Sequence, residues 1–244
     1  MLTDRKAIEE WLTQMGITNY IIRRYLTVDV NGSVDLSDQR LVTIPIQFGI
    51  VTGNFDCSCN SLTTLRGAPI YVGGNFQCFI NKLTTLEGAP RYVGKGFYCY
   101  ENQLISLEGA PKFVRGNFYC SENQLTSLKG APIYVGGNFQ CFINKLTTLE
   151  GAPRYVEGDF GCELNKLTSL EGAPHYVGKD FVCRKNQLTS LKGAPYYVGG
   201  NFYCYNNQLT TLEGAPHYVG GDVDCRENPR KSLKGAPKQG EGKC

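Results

Sequence analysis

Apolar positions recur along this chain on a 21-residue step. From Phe55 to Val219 the units read Phe-x-Cys, then Asn-x-Leu, a second Leu three positions on, and Gly-Ala-Pro-x-Tyr-Val, with Phe113 once in place of Tyr and polar residues between. Cysteine keeps the step from Cys57 through Cys78 and Cys99 to Cys225, and asparagine keeps it from Asn60 through Asn81 to Asn228. The pattern extends backwards without cysteine: Val34 and Leu36 match Phe55 and Cys57, and Leu41 and Ile44 match Leu62 and Leu65. Strand starts from Val34 to Val223 then make ten repeats of 21 residues. Side chains alternate along a strand, so Phe-x-Cys predicts a short strand with Phe and Cys on one face. Stacking such units predicts a parallel sheet. The Leu columns belong to the core. Thr-x-Leu and Gly-Ala-Pro are expected to return the chain as turns, 3₁₀ or extended segments, because so short a coil has no room for a helix of about 11 residues.

The ends depart from the repeat, as the ends of a stacked array must. Residues 4–15 predict an amphipathic helix, with Ile8, Trp11, Leu12 and Met15 on one face. Thr3 is its expected cap and Gly16 its stop. Residues 25–35 alternate, and Asn31-Gly32 signals a two-residue hairpin turn. At the other end, Arg230 replaces the core leucine, which ends the array. The expected organisation is a helix and hairpin cap over residues 1–29, a solenoid over 30–237 and a disordered tail over 238–244.

The segment Phe118-Tyr119-Cys120-Ser121-Glu122-Asn123-Gln124-Leu125 resembles the L-x-L-x-x-N-x-L strand segment of leucine-rich repeats. The resemblance runs over about residues 30 to 237 and implies a β-rich, right-handed solenoid with one parallel sheet and an N-terminal helical cap. Phe and Cys in the strand positions, and Gly-Ala-Pro on the return side, depart from the usual pattern. The short unit is more similar to that of bacterial leucine-rich effectors than to the longer eukaryotic types. With its N-terminal lead-in it also resembles uncharacterised repeat proteins of tailed bacteriophages. That resemblance implies a host-directed protein in a bacterial cytosol, such as an inhibitor of a defence enzyme.

Charge and composition narrow the chemistry. The 25 Lys+Arg and 22 Asp+Glu leave a net charge of +3, without the strongly basic balance of a nucleic-acid binder. No apolar run approaches the ~20 residues of a membrane span. The N-terminus lacks the apolar core of a secretory signal, which makes a cytoplasmic site the expectation. Of the 11 cysteines, nine share one inward column, the behaviour of small buried hydrophobes rather than of a disulfide framework. Cys244 is expected to be the most reactive thiol. Histidine occurs only at His175 and His217, C-x₂-C pairs are absent, and no metal site, cofactor or catalytic set is expected. The Asn column is expected to bond buried backbone at the strand ends. The Tyr column after Gly-Ala-Pro is expected to pack between coils with its hydroxyls outward.

Information therefore lies where the repeat varies, at the outward positions after Phe and after Cys. Phe79, Tyr98, Tyr100, Tyr119 and Phe142 fall on four consecutive repeats, with Ile80 and Ile143 at their edge, Gln77 and Gln140 beside them, and Tyr203 and Tyr205 further on. A solvated strand face would carry Thr, Lys and Glu; aromatic residues are what interfaces enrich. The same residues could also stack as a self-stabilising ladder. Residues 67–93 and 130–156 are identical, an offset of three repeats, so the array changes by whole units. These features predict a non-catalytic module that binds a protein on its concave sheet face, with no nucleic acid and no membrane. A structural or adhesive component of a particle or surface is the alternative.

Overall fold

The structure, a computed structural model, describes residues 1–229, 232 and 234–237. It is a β-solenoid, but each coil carries two short strands rather than one. The Phe-type strands begin at β3 (Val34–Asp35), after α1 (Arg5–Gln14), β1 (Tyr20–Ile22) and β2 (Thr27–Val30). They continue through β5 (Phe55–Asp56), which follows β4 (Gln47–Val51), to Val223–Asp224. All pair in parallel and in register, Phe over Phe, as a 10-stranded sheet. The Tyr-Val pairs from Tyr71–Val72 to Tyr218–Val219 form a second parallel sheet, which β4, β2 and β1 complete to 11 strands. The return side is thus partly extended, as the sequence allows, but bonded from coil to coil: Gly73 N–H donates to Val51 O at 2.9 Å and Gly94 N–H to Val72 O at 2.9 Å.

Between the sheets lie five repeating apolar columns: Phe, Cys, two of Leu, and Val. The Phe, Cys, Leu and Val side chains of the central coils are fully buried. Phenylalanine rings stack along the axis, with centroids 5.3 Å apart from Phe97 to Phe118 and 5.3 Å from Phe139 to Phe160. The turn into the Tyr-Val strand needs glycine: Gly67 has φ +95°, and a Cβ there would stand 2.5 Å from Ile46 O.

Two asparagine ladders hold the corners. Asn144 donates to Cys120 O and Cys141 O, both at 3.1 Å, and accepts from Leu125 N–H at 3.0 Å. The same bonds recur in each coil from Asn81 to Asn228, so every coil's buried end is tied to the one before it. The second ladder was not expected. In the Gly-Asn corner, Asn54 Oδ1 accepts from Asn75 N–H at 2.9 Å and Asn117 Oδ1 from Asn138 N–H at 2.9 Å; Asp159 and Asp180 substitute without breaking the series.

The N-terminal cap corrects the sequence reading in two details. Asp4, not Thr3, caps α1, accepting from Lys6 and Ala7 N–H at 3.0 and 3.2 Å. A carboxylate there also meets the positive end of the helix dipole. Ile8 and Leu12 are fully buried, and Trp11 meets Phe48 edge-on at 6.4 Å. The hairpin is β1 with β2, antiparallel, and it turns at residues 23–26, where Leu26 has φ 61°. Asn31-Gly32 instead carries the chain from β2 to β3, the corner that Gly-Gly makes in later coils. Register explains the difference: β2 pairs in parallel with β4, which makes it the start of the Tyr-Val sheet. The expected tail over residues 238–244 and the array's end at Arg230 lie outside the described residues.

Candidate partner-binding groove

Each Phe-type strand points one residue outward after Phe and another after Cys. On the middle coils these residues enclose a groove of about 530 Å³. Seven of the expected residues line it: Gln77, Phe79, Tyr98, Tyr100, Tyr119, Gln140 and Phe142. Glu101, Ser121 and Glu122 complete it. Phe79 and Tyr100 are stacked at 4.6 Å with planes 6° apart, whereas Tyr98 and Tyr119 meet edge to face at 5.3 Å and 85°. The rings therefore support one another, as the ladder alternative requires, and still present half-buried surface to the groove. Burial first, and next the Glu101 carboxylate, push the Tyr100 phenol above its ordinary range; burial and Tyr98 do the same at Tyr119. Both hydroxyls are protonated donors at neutral pH.

Ile80 and Ile143 do not line the groove. They occupy the position before the ladder asparagine, exposed, with φ 50° and 51°. That left-handed region disfavours β-branched residues. Every coil from Cys59 to Glu227 bends this way there, and Glu101 and Glu122 hold the same position in the intervening coils.

Tyr203 and Tyr205 are not brought to the aromatic groove. Gly161, without a side chain, separates it from a second depression of about 400 Å³ lined by Glu163, Val182, Arg184, Tyr203, Tyr205, Asp224 and Arg226. Arg184 lies over the Tyr205 ring at 5.5 Å, donates to its hydroxyl and stands 3.7 Å from Glu163. Arg226 pairs with Asp224 at 2.6 Å. Glu163 Oε2 and Arg184 Nε are buried without a hydrogen-bond partner, and burial raises the Glu163 carboxyl above its ordinary value.

Besides Ser121, sequence reasoning missed three contributors to the aromatic groove. Glu101 and Glu122 share the position of Ile80 and Ile143 after the strand, but a glutamate at an exposed position carries no sequence signal; both line the groove. The third is Gly96. Every other coil from Asn54 to Asp222 has Asn or Asp at that corner. A Cβ at Gly96 would come 2.6 Å from the Tyr98 hydroxyl oxygen, so the glycine makes room for that ring. This one break in an otherwise constant column was the available signal.

On the Gly-Ala-Pro edge the Tyr column is stacked as expected, with Tyr71 on Tyr92 at 4.7 Å and Tyr197 on Tyr218 at 4.8 Å. Both histidines are there too, sandwiching Tyr196 at 5.5 and 4.7 Å. Eight thiols, Cys59 and those of the column from Cys57 to Cys183, are free; Cys225 is disulfide-bonded, against the expectation for its column. It follows the end strand of the Phe sheet, which has a neighbouring strand on one side only. Among the described residues no group of three His, Cys, Asp or Glu is placed to hold a metal ion, and no helix is long and apolar enough to cross a membrane.

No protein-family model matches the chain, and no curated protein matches it. Among solved structures, YopM from Yersinia enterocolitica WA-314 is similar at 18% identity and a TM-score of 0.32, over 86% of this chain and 63% of YopM. The chain thus spans less than two thirds of YopM's length, and a likeness this distant bears on neither the groove nor its partner.

Proposed function

We propose that the protein is a non-catalytic binding module whose aromatic groove on the Phe-sheet face docks another protein. One observation carries the reading. Within a repeat whose other columns are nearly constant, large amphipathic side chains gather on four consecutive coils and enclose one groove. A rigid stacked array holds such a surface preformed, which lowers the ordering cost of association. The resemblance to tailed-phage repeat proteins directs the search for the partner to a bacterial host, with defence enzymes first.

The test is photo-crosslinking. A benzoylphenylalanine placed at Tyr119 is expected to give a discrete adduct with one protein of a bacterial lysate. Excess unlabelled wild-type protein should compete it away, and the Tyr98→Ser/Tyr100→Ser/Tyr119→Ser variant should not. Equal competition by that variant, or a specific adduct only from a probe at Tyr196, would refute the proposal and place docking on the Gly-Ala-Pro edge.

A further inference from the structure

The charges around the two depressions of the Phe-sheet face differ in a way that specifies what the first one accepts. Some carboxylates of the solenoid have cations of the same chain. Glu150, Glu171 and Glu213 pair across coils with Lys129, Lys192 and Lys234 at 3.3, 2.7 and 2.7 Å. In the second depression Glu163 and Asp224 have Arg184 and Arg226. Glu101 and Glu122 have none: neither is within ion-pairing distance of a cation among the described residues, and no lysine or arginine lines their groove. Two carboxylates therefore share the groove with Phe79, Tyr98, Tyr100 and Tyr119 without a counter-charge among the described residues, on a chain whose net charge is +3.

The second depression shows what such a set holds. There a guanidinium lies over a tyrosine ring, with its edge toward a carboxylate. Aromatic faces attract cations through the ring quadrupole, and a guanidinium also stacks on them. Resting on the reading of this groove as a docking face, we infer that its occupant is a basic side chain of the partner, arginine foremost. The guanidinium lies against the tyrosine faces and its N–H groups donate to Glu101 and Glu122. The same carboxylates repel phosphate, which turns the groove away from nucleic acid and anionic lipid surfaces.

The probe is a displayed library of random dodecapeptides, selected on the full-length protein and in parallel on the Tyr98→Ser/Tyr100→Ser/Tyr119→Ser variant. Peptides that bind only the wild type are expected to be enriched in arginine. In a winning peptide, replacing that arginine by its neutral isostere citrulline should weaken binding about tenfold. Glu101→Gln/Glu122→Gln should weaken the arginine peptide by a similar factor and leave the citrulline peptide unchanged. Both carboxylates are exposed, so this variant does not disturb the core. Tyrosine-dependent peptides without basic residues, or citrulline binding as tightly as arginine, would overturn the cation inference while the docking face stands. Selections that do not distinguish the wild type from the tyrosine variant would overturn both.

Discussion

Replacing Asn144 by alanine tests what holds the coils together. The amide is in the middle of the array and 9% exposed. Its two Nδ2 hydrogens are shared among Cys120 O, Cys141 O and Phe142 O at 3.1, 3.1 and 3.3 Å, and its Oδ1 accepts from Leu125 N–H at 3.0 Å. Removal is unequal in its consequences. Cys120 O still accepts from Asn123, Cys141 O from Asn165 and Phe142 O from Glu122 N–H. Leu125 N–H has no other acceptor among the described residues, and its residue is fully buried. An orphaned buried donor costs about 1–3 kcal/mol, and two lost amide bonds about 1 kcal/mol each, which gives a loss of about 3–5 kcal/mol. The assay is urea unfolding of the wild type and Asn144→Ala, followed by circular dichroism. The midpoint should fall with the slope unchanged, provided the transition stays two-state. A loss below about 1 kcal/mol would refute the reasoning, because the Asn column would then be filling space rather than satisfying backbone.

Three further outcomes are expected. Ile143→Asn should stabilise the protein by about 1 kcal/mol in the same unfolding assay, since Asn tolerates the left-handed backbone that Ile143 occupies; no gain would mean that the bend is unstrained. In native protein at neutral pH, iodoacetamide should alkylate Cys59, which is part-exposed, while Cys57, Cys78, Cys99, Cys120, Cys141, Cys162 and Cys183 react only after unfolding; burial raises those thiols and keeps them from the thiolate. Peptide mapping that finds any of the seven modified as fast as Cys59 would contradict this. Because burial raises the Glu163 carboxyl in the folded state, its favourable contribution is complete below the unfolded carboxyl value and is lost as pH rises through the folded one. Glu163→Gln should therefore flatten the stability–pH curve in that window, and an unchanged slope would assign the dependence to other groups.

The stacking, its period, its starting point at Val34 and the Phe, Cys and Leu core columns were legible in the sequence, because each coil repeats one set of constraints; the buried Val column was not assigned. The second sheet was not. Tyr71–Val72 and its equivalents are two residues long, too short for alternation to register, and their bonds run between coils 21 residues apart. Asn31-Gly32 has hairpin chemistry and forms a corner, because strand pairing decides which turn closes a hairpin. The aromatic positions were legible from their variation against a constant background. That Glu101 and Glu122 join them is not, since every coil bends alike at that position and a glutamate on an exposed corner reads as a solvated one.

The most direct test of the docking face is a titration of the cross-linked partner against the Tyr98→Ser/Tyr100→Ser/Tyr119→Ser variant, with Lys95→Ala/Lys112→Ala, two exposed lysines outside the groove lining, as control. Truncating tyrosines at an interface centre costs about 2 kcal/mol or more, so affinity should fall at least about thirtyfold in the first variant and stay unchanged in the second. Unchanged affinity in the tyrosine variant, with binding lost instead on Tyr196→Ser, would contradict the account.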